Sequence, residues 1–132
     1  VSEHDQQKAL IDWCFYHLAQ YPELDLIHAI PNGAMLGGGR VGAMRMNILK
    51  AEGLRPGVCD LFLPVARGGY FGLYIEMKDF TGKLSENQKE FISAVEDQGY
   101  MCCVPYGAEE AQKNLQTYLD YPKTKVVKKV TK

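Results

Sequence analysis

Residues 57–79 read "GVCDLFLPVARGGYFGLYIEMKD", and the reading of this stretch decides the fold. Two apolar runs, 58–65 and 70–78, flank the short joint "ARGG". Apolar runs of this length with a Gly-rich joint between them predict an antiparallel β-hairpin. Both runs nevertheless carry charge. Asp60 lies at the start of the first, and Glu76 and Lys78 lie inside the second. Side chains alternate faces along a strand, so Glu76 and Lys78 share one face while Ile75 and Met77 point to the other. Pairing across the joint can bring Asp60 towards Glu76, although the sequence does not specify the register.

Outward from the hairpin, the pattern changes period. Residues 85–98 read as a helix, with Ser85 and Gln88 forming an S/T-x-x-E/Q capping box and Gly99 as the stop. A strand over 100–105 and a helix over 108–119 follow, the latter with Ala108, Ala111, Leu115 and Leu119 in register. On the N-terminal side, 41–52 reads as a helix with Val41, Met44 and Ile48 on one face and Gly53 as its C′ residue. The segment before it, "GAMLGGGR" over 33–40, is glycine-rich and is expected to be mobile or wrapped close to something. It lacks the G-x-x-x-x-G-K-[ST] spacing, which excludes a P-loop. A strand over 26–30 stops at Pro31-Asn32-Gly33. The chain opens with a helix over 3–20, in which Leu10, Trp13, Cys14, His17 and Leu18 make one apolar stripe ended by Tyr21-Pro22. The predicted order is α-β-α-β-β-α-β-α, an α/β mixed sheet with helices against its faces.

The 132 residues suit one domain, expected over 1–122, with a basic, flexible tail over 123–132 that carries five lysines and no acid. No stretch approaches the ~20 apolar residues of a membrane span, and the polar opening fits no signal peptide. The expectation is a cytoplasmic protein. Cys14, Cys59, Cys102 and Cys103 form no C-x-x-C pair, so they read as reduced, mostly buried thiols rather than a zinc site. The net charge is −1, but between residues 33 and 58 Arg40, Arg45, Lys50 and Arg55 face only Glu52.

Two carboxylates held close raise each other's pKa unless positive charge intervenes. A hard divalent cation favours oxygen ligands and supplies two charges. Asp60, Glu76 and Lys78 facing one cleft therefore suit magnesium or manganese chemistry on a phosphate, with the lysine orienting water or steadying developing negative charge. Taken alone, E-x-K on a strand is more often a surface ion pair.

The combination Gly57-Val58-Cys59-Asp60, Tyr74-Ile75-Glu76-Met77-Lys78 and Ser85-x-x-Gln88 resembles the PD-(D/E)XK nuclease superfamily. Within it, the likeness is to the VRR-NUC domains, in particular the small stand-alone ones of phages and prophages. It extends from Ser2-Glu3 through "AIPNG" and "LSENQKEF" to "QGY". The resemblance implies a restriction-endonuclease-like fold and a phage or prophage protein acting in a bacterial host cell. It also implies roles for residues: Asp60 and Glu76 as metal ligands, the Met77 backbone carbonyl as a further ligand, and Lys78 as the catalytic lysine. Gln88 matches the family's glutamine near the site, and Glu3 matches an N-terminal glutamate completing the acidic cluster. Cys59 stands where the family usually has proline, and the Val-Arg-Arg tripeptide is absent.

The expected function is a divalent-metal-dependent DNA endonuclease. Its implied substrate is branched DNA, cut by a homodimer in the manner of a Holliday-junction resolvase. Alternatives are a flap- or single-strand-directed nuclease, or a nucleic-acid-binding module without catalysis. Arg40, Arg45, Lys50, Arg55, Arg67 and Lys83 are candidate phosphate contacts. His28 is read as a packed residue rather than a member of the site.

Overall fold

The computed structural model describes residues 2–31 and 37–130. The chain runs α1 (Glu3–Tyr16), a 3-10 helix (Pro22–Leu26), β1 (His28–Ala29), α2 (Gly39–Ala51), β2 (Leu61–Leu63), β3 (Leu73–Ile75), α3 (Glu86–Asp97), β4 (Met101–Cys103) and α4 (Ala108–Asp120). The expected turn at Asn32-Gly33 and the first part of the glycine-rich segment, residues 33–36, lie outside the described residues.

The four strands form one sheet in the order β1-β2-β3-β4. β2 and β3 pair antiparallel, with Leu61 opposite Ile75 and Leu63 opposite Leu73, so the hairpin read from the sequence is present and now has a register. β4 joins β3 in parallel, with Ile75 opposite Cys103, and α3 forms the crossover between them. The sheet is therefore mixed.

One face of the sheet carries the main core. Leu61, Leu63, Leu73, Ile75 and Met77 pack with Leu10 and Cys14 of α1 and Ala111, Leu115 and Tyr118 of α4. The buried Tyr118 hydroxyl donates to the Val65 carbonyl at 2.6 Å, so its polar end is satisfied. The other face is aromatic: Phe62 and Tyr74 pack together, and Tyr74 meets Phe91 of α3 edge-on.

Several element ends differ from the sequence reading. α1 stops at Tyr16 rather than residue 20, and Leu26, expected in a strand, closes a 3-10 helix instead. α1 ends where the His17 ring bonds the Trp13 carbonyl at 2.7 Å and the His17 N–H turns to the Cys14 carbonyl at 3.1 Å. Pro22 explains the 3-10 helix, since its fixed φ suits the first position of a new helical turn. The strands are shorter than the apolar runs, since Pro64 and the turn glycines interrupt ladder pairing. α2 exposes its apolar face, with Val41, Met44 and Ile48 each more than half exposed.

The tail leaves α4 by turning back on the hairpin. Thr124 Oγ1 accepts from the Gly69 N–H and donates to the Tyr70 carbonyl, both at 2.9 Å. No helix among the described residues is long and apolar enough to cross a membrane.

Candidate metal centre

The site forms where the hairpin opens, just past the last paired residues Leu61 and Ile75. Beyond Ile75 the chain stays hydrogen-bonded to the β4 side: the Glu76 N–H donates to the Cys103 carbonyl at 2.9 Å and the Lys78 N–H to the Pro105 carbonyl at 3.1 Å. The Met77 N–H between them points the other way, where β2 has ended. The Asp60 carboxylate takes that donor, with Oδ2 2.8 Å from the Met77 nitrogen. Asp60 is gripped from its other side as well, because its carbonyl accepts the Ile30 N–H at 2.8 Å. An aspartate side chain thus replaces a backbone partner and becomes rigid in doing so.

Met77 points into the core and is fully buried, so by alternation Glu76 and Lys78 lie towards α3. Both are buried, Glu76 to 2% exposure. Lys78 Nζ lies 3.4 Å from Glu76 Oε2. Gln88 Nε2 donates to the same oxygen at 3.2 Å. The amide's other end, Oε1, accepts the Ser85 N–H at 2.9 Å and so completes the capping box of α3. A backbone N–H can only donate, which fixes Oε1 on Ser85 and Nε2 on the carboxylate. Gln88 is at once helix cap and carboxylate holder.

The approach of α3 depends on Gly57. Its φ is +89°, and a Cβ there would lie 2.5 Å from the backbone of Asn87. Glycine is the residue that permits this contact, and the contact brings Gln88 against Glu76.

Glu3 arrives from the far end of the sequence. Ser2 caps α1 by accepting the Asp5 N–H at 3.1 Å. Gln6 Oε1 accepts the Ala108 N–H at 2.7 Å, pinning α1 to the start of α4. The loop before α4 is itself tied to the site, since the Gly107 N–H donates to the Lys78 carbonyl at 3.1 Å. Carboxylate oxygens of Glu3, Asp60 and Glu76 consequently lie within 4.8 Å of one another.

This crowding has an electrostatic cost. Burial, with the Asp60 carboxylate adding to it, pushes Glu76 up to about 8 against the opposing pull of Lys78. Glu76 Oε1 is buried without a hydrogen-bond partner among the described residues. A buried carboxylate with one oxygen lacking a donor, grouped with two further carboxylates, is what an oxygen-seeking divalent cation satisfies. The donor set fits magnesium or manganese.

The remaining candidates are dispersed. Arg40, Arg45 and Lys50 lie on α2 and are exposed. The Arg55 guanidinium lies over the Phe91 ring, 5.3 Å from its centroid. Lys83 is exposed on the loop between Lys78 and α3. Arg67 sits at the closed turn of the hairpin, away from the acidic cluster, and its guanidinium pairs with Glu23 at 3.5 Å. His28 is exposed, with its ring edge-on to Phe62. Cys59 is buried in the turn before Asp60, where a hydrogen bond with the Cys102 sulfur and burial push its thiol up, leaving it unreactive. Sequence reasoning missed Gln6, which pins α1 to α4, and passed over Phe80, the exposed ring two residues beyond Lys78. Gln6 carried no signal, but Phe80, a lone aromatic in the polar run after Lys78, did.

Comparison with curated proteins gives no match. A solved structure of a VRR_NUC domain protein matches with a TM-score of 0.78 at 26% identity, covering 98% of this chain and 98% of that one. The model of the VRR-NUC domain matches residues 40–109, more than half of the chain, and this span holds Asp60, Glu76, Lys78 and Gln88. The chain therefore belongs to the VRR-NUC domain family, a nuclease family, and has a nuclease-type α/β fold.

Proposed function

We propose that the protein is a divalent-metal-dependent endonuclease that hydrolyses phosphodiester bonds in branched DNA. The observation that carries this reading is the buried Glu76 carboxylate, one oxygen of which has no partner among the described residues, grouped within 4.8 Å with carboxylate oxygens of Asp60 and Glu3. Asp60, Glu76 and the Met77 carbonyl would hold the cation, magnesium or manganese, with Glu3 completing the cluster. When bound, the cation supplies Lewis acidity to the phosphate and to the attacking water. Lys78, buried beside Glu76, orients that water and stabilises negative charge developing on the phosphoryl oxygens. Gln88 positions Glu76 and takes no part in bond making.

Among the described residues one chain carries one such cluster, whereas symmetric cutting of a four-way junction takes two related by a two-fold axis. A second copy is the partner we assign to the exposed apolar face of α2, with Val41, Met44 and Ile48 at its centre. The exposed cations of α2 and Lys83 are proposed phosphate contacts that position the DNA without reading its sequence.

The test is a panel of four-way junction, flap, single-stranded and linear duplex DNAs with magnesium or manganese. Wild-type protein is expected to cut the branched substrates, and Lys78→Ala to bind the junction without cutting it. Failure to cut any of these DNAs in either metal sinks the enzyme reading. Light scattering is expected to give a dimer at micromolar concentration, and a monomer counts against the two-fold arrangement.

A further inference from the structure

Two residues beyond Lys78, the chain displays an aromatic ring that the metal chemistry does not use. Phe80 is 92% exposed, more than any other aromatic side chain among the described residues. Its turn is well fixed. Asp79 Oδ1 accepts from both the N–H and the hydroxyl of Thr81, at 3.0 and 2.9 Å, and the Gly82 N–H donates to the Asp79 carbonyl at 3.1 Å. The turn also folds onto the Lys78 stem, since a Cβ at Gly82 would come within 3.0 Å of Lys78 Cδ. The backbone that carries Phe80 is thus held at a set position relative to Lys78, with its ring exposed.

Phe80 lines a cavity of about 120 Å³ together with Gln6, Asp79, Tyr106 and Gly107. The cavity belongs to the same rim as the acidic cluster, because Tyr106 bridges to Lys78 through the backbone. It is well below the roughly 300–1,000 Å³ of pockets for drug-sized ligands, so it suits one flat ring rather than a whole nucleotide. Two aromatic side chains offer it stacking surfaces. The Asp79 carboxylate in the wall repels a phosphate and accepts hydrogen bonds from a base amino group. Charge and shape therefore select a nucleobase over the DNA backbone.

We propose that Phe80 and Tyr106 form a stacking subsite for one unpaired base next to the phosphate that is cut. This rests on the nuclease reading above and narrows its substrate. Stacking on an aromatic side chain strengthens binding by roughly five- to a hundredfold per base. Drawing a base out of a duplex consumes a comparable or larger share. The subsite therefore favours DNA whose base is already unpaired, at a flap or an opened branch point, over linear duplex.

The experiment measures binding in EDTA, where no cutting occurs, to a flap, a four-way junction and a matched linear duplex. Each carries 2-aminopurine at the branch or the equivalent duplex position. Wild-type protein is expected to quench the 2-aminopurine of the flap and the junction. Phe80→Ala is expected to lower the preference for flap over duplex about tenfold or more, and Phe80→Trp to retain it. An unchanged preference in Phe80→Ala, or no quenching with wild type, overturns the subsite. A dimer that becomes a monomer in Phe80→Ala makes Phe80 a subunit contact and also overturns it. If wild type cuts no DNA in magnesium or manganese while the quenching and its loss both hold, the nuclease reading fails and the base subsite stands.

Discussion

The two ends of the β2–β3 hairpin follow opposite rules. At the closed end, polar groups find partners: Tyr118 caps Val65, Thr124 satisfies Gly69 and Tyr70, and Arg67 pairs with Glu23. At the open end, three carboxylates crowd together, Glu76 is buried, and one of its oxygens has no donor. The same pair of strands is therefore stabilised at one end and destabilised at the other. Local rules broken at a single place in an otherwise consistent fold mark where function is held.

The largest expected effect comes from removing the conflict. On the proposed reading, in which Glu76 holds the cation, Glu76→Gln should lower cutting on the order of 10³-fold, since it removes a carboxylate charge from the proposed ligand set. It should also stabilise the metal-free protein. In the folded chain burial and the Asp60 carboxylate push Glu76 up to about 8, from an ordinary value of 4.5. Between those values the folded state holds its proton more tightly than the unfolded state, so metal-free stability falls as pH rises through that window. Glu76→Gln removes this dependence. Its Tm in EDTA should exceed that of wild type by roughly 5 °C at pH 8 and by little at pH 4.5. Added magnesium or manganese should stabilise wild type increasingly as pH rises, as the cation replaces the proton. A mutant that is less stable than wild type at pH 8 in EDTA would break the contrast between the two ends.

A smaller effect separates the two glycines that flank the contrast. Gly57 and Gly68 both have positive φ, +89° and +62°. A Cβ at Gly57 meets the Asn87 backbone at 2.5 Å, whereas one at Gly68 meets the Tyr121 ring at 2.8 Å. A ring can turn aside and a helix backbone cannot. Gly57→Ala should cost about 2 kcal/mol or more in urea unfolding and reduce cutting, because it pushes α3 and Gln88 off Glu76. Gly68→Ala should cost less and leave cutting near wild type. Equal losses of activity would show that the ends are not independent.

The smallest effect belongs wholly to the closed end. Tyr118→Phe leaves the Val65 carbonyl without its donor and should cost about 1–2 kcal/mol, with cleavage rates within twofold of wild type.

Much of this was legible because it rests on periodicity and charge. The hairpin, the shared face of Glu76 and Lys78, and the capping box of α3 each follow from spacing alone. The register did not, since either apolar run could slide by two residues without exposing its core face. The convergence of Glu3 was also invisible in composition, because it depends on α1 docking against α4 through Gln6 and Ala108. The resemblance to a family supplied Glu3, and the structure supplied the physical route. The error at 22–26 came from treating Tyr21-Pro22 only as a stop, when proline also starts a helical turn; the early end of α1 turns on the His17 ring bonding the Trp13 carbonyl, which spacing does not show. The apolar spacing of α2 identified a face correctly and said nothing about what covers it.

Gln88 has a consequence for how this chain can vary. A capping box accepts glutamine or glutamate at its last position, and α3 alone would tolerate either. Glu76 Oε2 needs a donor there, and a glutamate would offer it another negative charge. Helix and carboxylate together therefore narrow two permitted residues to one. In a sequence of this kind, the letter at that position distinguishes a helix start that only folds from one that also serves an acid.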